Sequence, residues 1–261
     1  MKFSKNFELS AFFLLTFAWS WGFWGLGGYT RIAHLLAPFG PTLMAFLFTY
    51  LTSGKGGIRN LLGKGVSPRF SKVWLIPALF LMPTIIGLSL LLVVLSGEPL
   101  PETPLTGNPL TLIAAFFYIL VLGGPLAEEF GWRGFALERL QAKYNALVAS
   151  LILGIIWGLW HLPLFYSTNE LYKNVPFPGF VAGTILFSIL FTWIFNNTNG
   201  SVLTAILFHT SGNWGHFAFP ITATQWGSLY SLIINFAVVL VVLAVWGTKR
   251  MKREPTPSAT P

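Results

Sequence analysis

Cysteine and aspartate are both missing from this chain, and acidic residues are scarce. Without cysteine there is no disulfide and no thiolate chemistry, although the compartment stays open. Without aspartate, all carboxylate side-chain chemistry falls to the eight glutamates. Charge of either sign is rare as well: charged residues make up 9%, where an ordinary soluble domain has about a quarter. No apolar run alternates strictly over the roughly ten residues of a membrane β-strand, as LLLVVL and LIINFAVVLVVLAVW illustrate, and this excludes a β-barrel. No HExxH helix is present, so the sequence carries no local zinc signature. No internal repeat is evident.

What is present is apolar. Hydrophobic residues make up 54% and the mean hydropathy is +0.67. A hydrocarbon core about 30 Å thick needs roughly 20 apolar residues per helix, and the chain divides into about eight such runs, at roughly 9–28, 33–52, 73–95, 109–127, 146–165, 178–196, 201–219 and 226–247. The expected fold is an all-α, polytopic helical membrane protein. Residues 1–248 form one transmembrane domain, and 249–261, ending in EPTPSATP, form a disordered cytoplasmic tail. Lys2 and Lys5 before an apolar run resemble a signal peptide, but the run is long, rich in tryptophan and without a small-residue cleavage site, so it is read as a retained first span.

Loops on the cytoplasmic side hold the excess of Lys and Arg. With an inner N-terminus, only Arg31 and Lys173 fall outside, while Lys55, Arg59, Lys64, Arg69 and Lys72, then Arg133, Arg139 and Lys143, then Lys249 to Arg253, fall inside. Both termini are therefore expected in the cytoplasm and the protein in the cell membrane. The net charge of +8 reports this topology and contact with anionic head groups, not nucleic acid. Ile58, Leu61, Leu62 and Val66 fall at helical spacing among these basic residues, consistent either with a short surface helix or with a plain positive loop.

An ionisable group inside hydrocarbon costs at least a few kcal/mol, so Glu128 and Glu129, in LGGPLAEEFGWRGF, mark a functional site. Successive helical residues point about 100° apart, so the two carboxylates cannot share one cavity, whereas Glu129 and Arg133 lie i, i+4 on one face. Glu129 is thus assigned to Arg133 as a structural ion pair, and Glu128 is left free as a general base. The preceding Gly123-Gly124-Pro125 break would free backbone groups, which is tolerated at depth only beside protein or a wet cavity. Glu128 and His161 are symmetric about Tyr144 and Asn145, the expected turn of a helical hairpin, so their side chains come level across it. His209 and Asn213 form another i, i+4 pair, at a depth that matches if about seven residues of the hairpin tip protrude. His34 is read as a loop residue. His216 either faces the same cavity as His209 or lies near the outer interface.

In this order and on separate spans, Glu128-Glu129-Phe-Gly-Trp-Arg133, Trp157-Gly-Leu-Trp-His161 and His209-Thr-Ser-Gly-Asn213 resemble the three motifs of the CPBP intramembrane proteases. That family includes the type II CAAX prenyl endopeptidases and the bacterial Abi proteins linked to bacteriocin immunity. The similar region runs from about Gly123 to Asn213. Trp157 stands where the family often has Phe, and is expected to wall the cavity.

The resemblance implies peptide-bond hydrolysis within the membrane, on a membrane-associated peptide or lipidated protein of prenylated CAAX or bacteriocin type. Glu128 with His161 would activate water, His209 and Asn213 would donate to the oxyanion, and Glu129 and Arg133 would hold the helix and tune Glu128. No cofactor is needed on this route. The metal alternative would have Glu128, His161 and His209 bind Zn²⁺ with water as the fourth ligand. Two other readings use the same residues: an idle immunity or scaffolding protein, and, third, a proton-linked transporter, since intramembrane Glu and His also mark proton relays.

Overall fold

In the computed structural model of the protein, the described residues are 5–26, 31–167, 172 and 175–252. They build a helical bundle with no strand among them. Helix α1 is Lys5–Leu26 and α2 is Arg31–Leu36, which leads through a 3₁₀ turn into α3, Gly40–Val66. Then come α4, Leu75–Leu95; α5, Pro109–Leu122; α6, Pro125–Gly131; π-helical turns, Trp132–Leu137; and α7, Glu138–Gln141. Helix α8 is Ala146–Trp160, followed by a 3₁₀ turn, Leu162–Tyr166. The last three are α9, Phe177–Asn197; α10, Val202–Ala218; and α11, Gly227–Trp246.

This is a helical polytopic membrane protein. Five helical stretches among the described residues are long and apolar enough to span, or six if α5 and the α6–α7 helix, bent by about 40°, count as one. The other two expected runs are helical as α1 and α10 but do not reach that measure, so eight spans are not established. Helix α10 falls short in length and in apolarity. It has 17 residues and includes His209, Thr210, Ser211 and Asn213, which lower its apolarity.

Close helix packing rests on small residues, because lipid supplies no hydrophobic force between helices and backbones must approach for dispersion to act. Gly154 and Gly158, on one face of α8, lie against Thr184, Ile185 and Val181 of α9, and Ser150 one turn earlier donates to the Thr192 hydroxyl at 2.7 Å. Gly212 and Gly215 bring α10 onto Met82 and Pro83 of α4, where Ser211 donates to the Ala78 carbonyl at 2.9 Å. Gly131 lets α6 touch the backbone of Pro41 at the start of α3.

The hairpin turn falls where expected. Asn145 caps α8, its side-chain oxygen accepting from the Val148 N–H at 2.9 Å. The stretch around Ile58 is helix rather than loop: α3 kinks at Gly54 (φ 61°) and runs on to Val66. Of its four apolar residues, Leu61 is buried against Gly134, and Leu62 and Val66 are exposed. Lys64 pairs with Glu138 at the same basic end. His34 lies in helix α2, not in a loop, because Arg31–Leu36 winds before the 3₁₀ turn.

Residues 248–252 cross the basic ends of α8 and α9. The first two free N–H groups of α8 donate to them, Ala146 to the Lys249 carbonyl at 2.9 Å and Leu147 to that of Thr248 at 3.1 Å. The Asn196 and Asn197 amides donate to the carbonyls of Arg250 and Met251. The start of the expected disordered tail is thus held against the bundle. Its remainder, 253–261, lies outside the described residues, as do Lys2 and Lys173.

Candidate active site

The break that precedes the glutamates is built from local backbone rules. Gly123 ends α5, Gly124 takes φ +107°, and Pro125 opens α6 at a first-turn position where a missing N–H costs nothing. Three residues on, Glu128 is 5% exposed and Glu129 is fully buried. They face different ways. Glu128 Oε2 accepts from the Trp132 indole at 3.3 Å and the Trp157 indole at 3.0 Å. Its Oε1 points back at the break, so close that a Cβ on Gly124 would stand 2.5 Å from it.

Glu129 accepts from Arg133 Nη1 through both oxygens, at 2.7 and 3.0 Å, and this ion pair is wholly enclosed. The guanidinium is stacked 3.5 Å over the Phe191 ring and 4.5 Å over that of Trp157. Among the described residues, its Nε and Nη2 have no hydrogen-bond acceptor. Ring faces stand in for one, since the aromatic quadrupole attracts the cation.

Sequence reasoning missed the third partner of Glu129. His209 Nδ1 lies 2.8 Å from its Oε1. With that carboxylate held by Arg133, the imidazole is the donor, and only Nε2 of His209 is left to face anything else. Depth explains the meeting. Glu138 Oε1 lies beside Gly200 at the basic end, and both Glu129 and His209 are nine residues further along their helices, about 13 Å at the helical rise. The matching spacings agree with this meeting, but they become a signal only once Glu138 and Gly200 are known to lie side by side.

His161 sits where α8 tightens. Its N–H bonds to Gly158 in a 3₁₀ step, which frees the Trp157 carbonyl, and Nδ1–H of His161 donates to that carbonyl at 2.8 Å. A carbonyl only accepts, so the tautomer is fixed and Nε2 carries the lone pair. Trp157 therefore touches both partners, its indole on Glu128 and its carbonyl on His161. It is more than the cavity wall expected of it. The His161 ring is flanked by Trp160, Phe180 and Tyr172, with centroids at 4.8, 5.1 and 6.5 Å.

Asn213 stands at the edge of the break and donates weakly to the Gly123 carbonyl at 3.4 Å. His216 is exposed on α10 and does not join this group. The structure thus gathers Glu128, His161, His209 and Asn213 around Trp157 and the break. Among the described residues, no three histidine or acidic side chains are placed to hold a metal ion together. His161 and His209 each have Nδ1 tied to a hydrogen-bond partner, a carbonyl and a carboxylate, and each keeps Nε2 as its second ring nitrogen.

Residues 109–215 match the family model described as type II CAAX prenyl endopeptidase Rce1-like, a stretch that runs from the start of α5 to two residues past Asn213. Over this stretch the chain is similar to the Rce1-like family. A relative in Methanococcus maripaludis named CAAX prenyl protease 2 is 29% identical over 226 residues, covering 79% of this chain and 83% of that one. The Rce1-like match supports an intramembrane protease acting on a membrane-associated substrate, and it includes every residue gathered at the site.

Proposed function

We propose that this protein hydrolyses a peptide bond of a membrane-associated, CAAX-type lipidated substrate, with Glu128 and His161 activating the water. The observation that carries this reading is Trp157, which holds the Glu128 carboxylate by its indole and the His161 imidazole by its carbonyl. A water between Glu128 Oε1 and His161 Nε2 gives one proton to the carboxylate as its oxygen attacks the scissile carbonyl. Glu128 then returns the proton to the leaving amine.

The oxyanion is received by Asn213 Nδ2 and His209 Nε2. Since Nδ1–H of His209 is spent on Glu129, Nε2 donates only in the imidazolium form, and the Glu129 carboxylate is the counter-charge that suits it. Removal of one such donor costs about 3–4 kcal/mol in comparable sites. The Rce1-like match and the relative's name favour a CAAX-type substrate over a bacteriocin-type one.

Mass spectrometry of membrane peptides from cells with the native protein and with Glu128→Ala tests this. A cleavage product absent only from the variant names the substrate, and identical peptide profiles would refute the protease reading. Retained bacteriocin immunity without processing would point to a scaffold, and loss of proton-linked flux to a transporter. Metal content and activity before and after chelation address the zinc alternative. Full activity in chelator is expected, and zinc lost together with activity would overturn the metal-free route.

A further inference from the structure

Helix α1 lies outside the Rce1-like match, yet its far turn reaches the site. Trp21 Nε1 donates to the Trp160 carbonyl at 2.9 Å, across 139 residues of sequence. Trp24, buried, packs on the Trp160 ring at 4.6 Å and stacks on the His161 ring at 6.4 Å. These contacts meet a need created by the end of α8. In a continuing helix the Trp160 carbonyl would accept from the N–H of Leu164, but that N–H bonds to His161 in the 3₁₀ turn, which begins at Leu162 with Pro163 in its first positions. The orphaned carbonyl belongs to the residue just before His161, so whatever binds it sets the backbone from which the imidazole projects.

We propose that Trp21, backed by Trp24, is a positioning residue that fixes the rotation of His161 and hence the place of its Nε2 lone pair. The proposal rests on the role given to His161 above. It extends the functional unit to a helix that carries none of the three motifs.

Trp21→Phe keeps an aromatic ring and removes the N–H. With a farnesylated CAAX peptide as probe, kcat should fall roughly tenfold while KM stays within about twofold, because small misplacement of a reacting group is costly and the substrate contacts are untouched. In a His161→Ala background the same change should have no further effect, since both act through one group. An equal loss in both backgrounds would mean general structural damage and would overturn the proposal. Trp24→Leu, which strips the ring from Trp160, should show the same kcat loss and the same dependence on His161.

A readout independent of activity separates this from the protease reading. In ¹⁵N-histidine NMR, the signal that vanishes in His161→Ala should report the Nδ1–H tautomer in the native protein and a mixture of tautomers in Trp21→Phe. An unchanged tautomer would sink the positioning role. If Glu128→Ala left peptide hydrolysis intact, the protease reading would fall, while the tautomer would still decide the role of Trp21.

Discussion

Two adjacent glutamates of the candidate site differ in where their neighbours sit. Glu128 is held by two indole donors and keeps one oxygen toward the break, whereas Glu129 lies enclosed between Arg133 and His209. Their neutral isosteres should therefore fail differently. Glu128→Gln should lower hydrolysis by roughly 10²- to 10⁴-fold, the usual worth of a general base, with little change in thermal midpoint. Glu129→Gln strands a buried guanidinium without its ion-pair partner and should cost about 3–5 kcal/mol of stability as well as activity. Thermal melts of both variants beside a peptide assay check this, and a folded, active Glu129→Gln protein would contradict it. The division itself was legible in sequence from the 100° step between neighbours and the i, i+4 spacing to Arg133. The tie between Glu129 and His209 was not, because it joins residues 80 positions apart and depends on the shared depth of two helices.

At the scale of elements, the hairpin of α6 to α8 and its Asn145 turn could be read from polarity and spacing, and so could the break at Gly123-Gly124-Pro125. The π-helical turns Trp132–Leu137 could not, since nothing in WRGFAL departs from ordinary helical composition. The 3₁₀ tightening that frees the Trp157 and Trp160 carbonyls had a visible cause in Pro163, but its consequence for the His161 tautomer needed the third dimension. The Gly154-x-x-x-Gly158 spacing that seats α8 on α9 is itself a sequence signal of close helix packing. Geometry at the break yields a sharp expectation. Gly124 adopts φ +107°, where an L side chain is strained by about 1–3 kcal/mol, and its Cβ would press on Glu128 Oε1. Gly124→Ala should thus depress hydrolysis at least tenfold, more than its stability loss explains, because the displaced atom is the one proposed to take the proton from water. Gly183→Ala, in α9 with open space around it, should leave the rate unchanged and the melting point the same or slightly higher. Equal behaviour of the two variants in the assay would remove the break from the chemistry.

For the whole molecule, hydropathy announced the helical class and the basic residues announced a sidedness, but neither could count spans where a helix is short and carries polar residues, as α10 shows. The bundle gathers Lys64, Glu138, Arg139 and residues 248–252 at one end, with Arg139 reaching Glu8 of α1 at 2.7 Å, and this end is where a positive-inside orientation puts the cytoplasm. The missing cysteines make the orientation directly measurable, because each introduced thiol is the sole one in the chain. Glu102, exposed in the connection between α4 and α5, lies away from the basic end, and Lys252 is exposed at it. In intact cells a membrane-impermeant maleimide should label Glu102→Cys and spare Lys252→Cys until the membrane is opened. The reverse pattern would invert the bundle and put Lys64, Arg139 and the chain's basic end on the outer face. Since Glu129 and His209 lie about 13 Å from that end by helical rise, it would also move the side from which water and substrate are measured to the opposite leaflet.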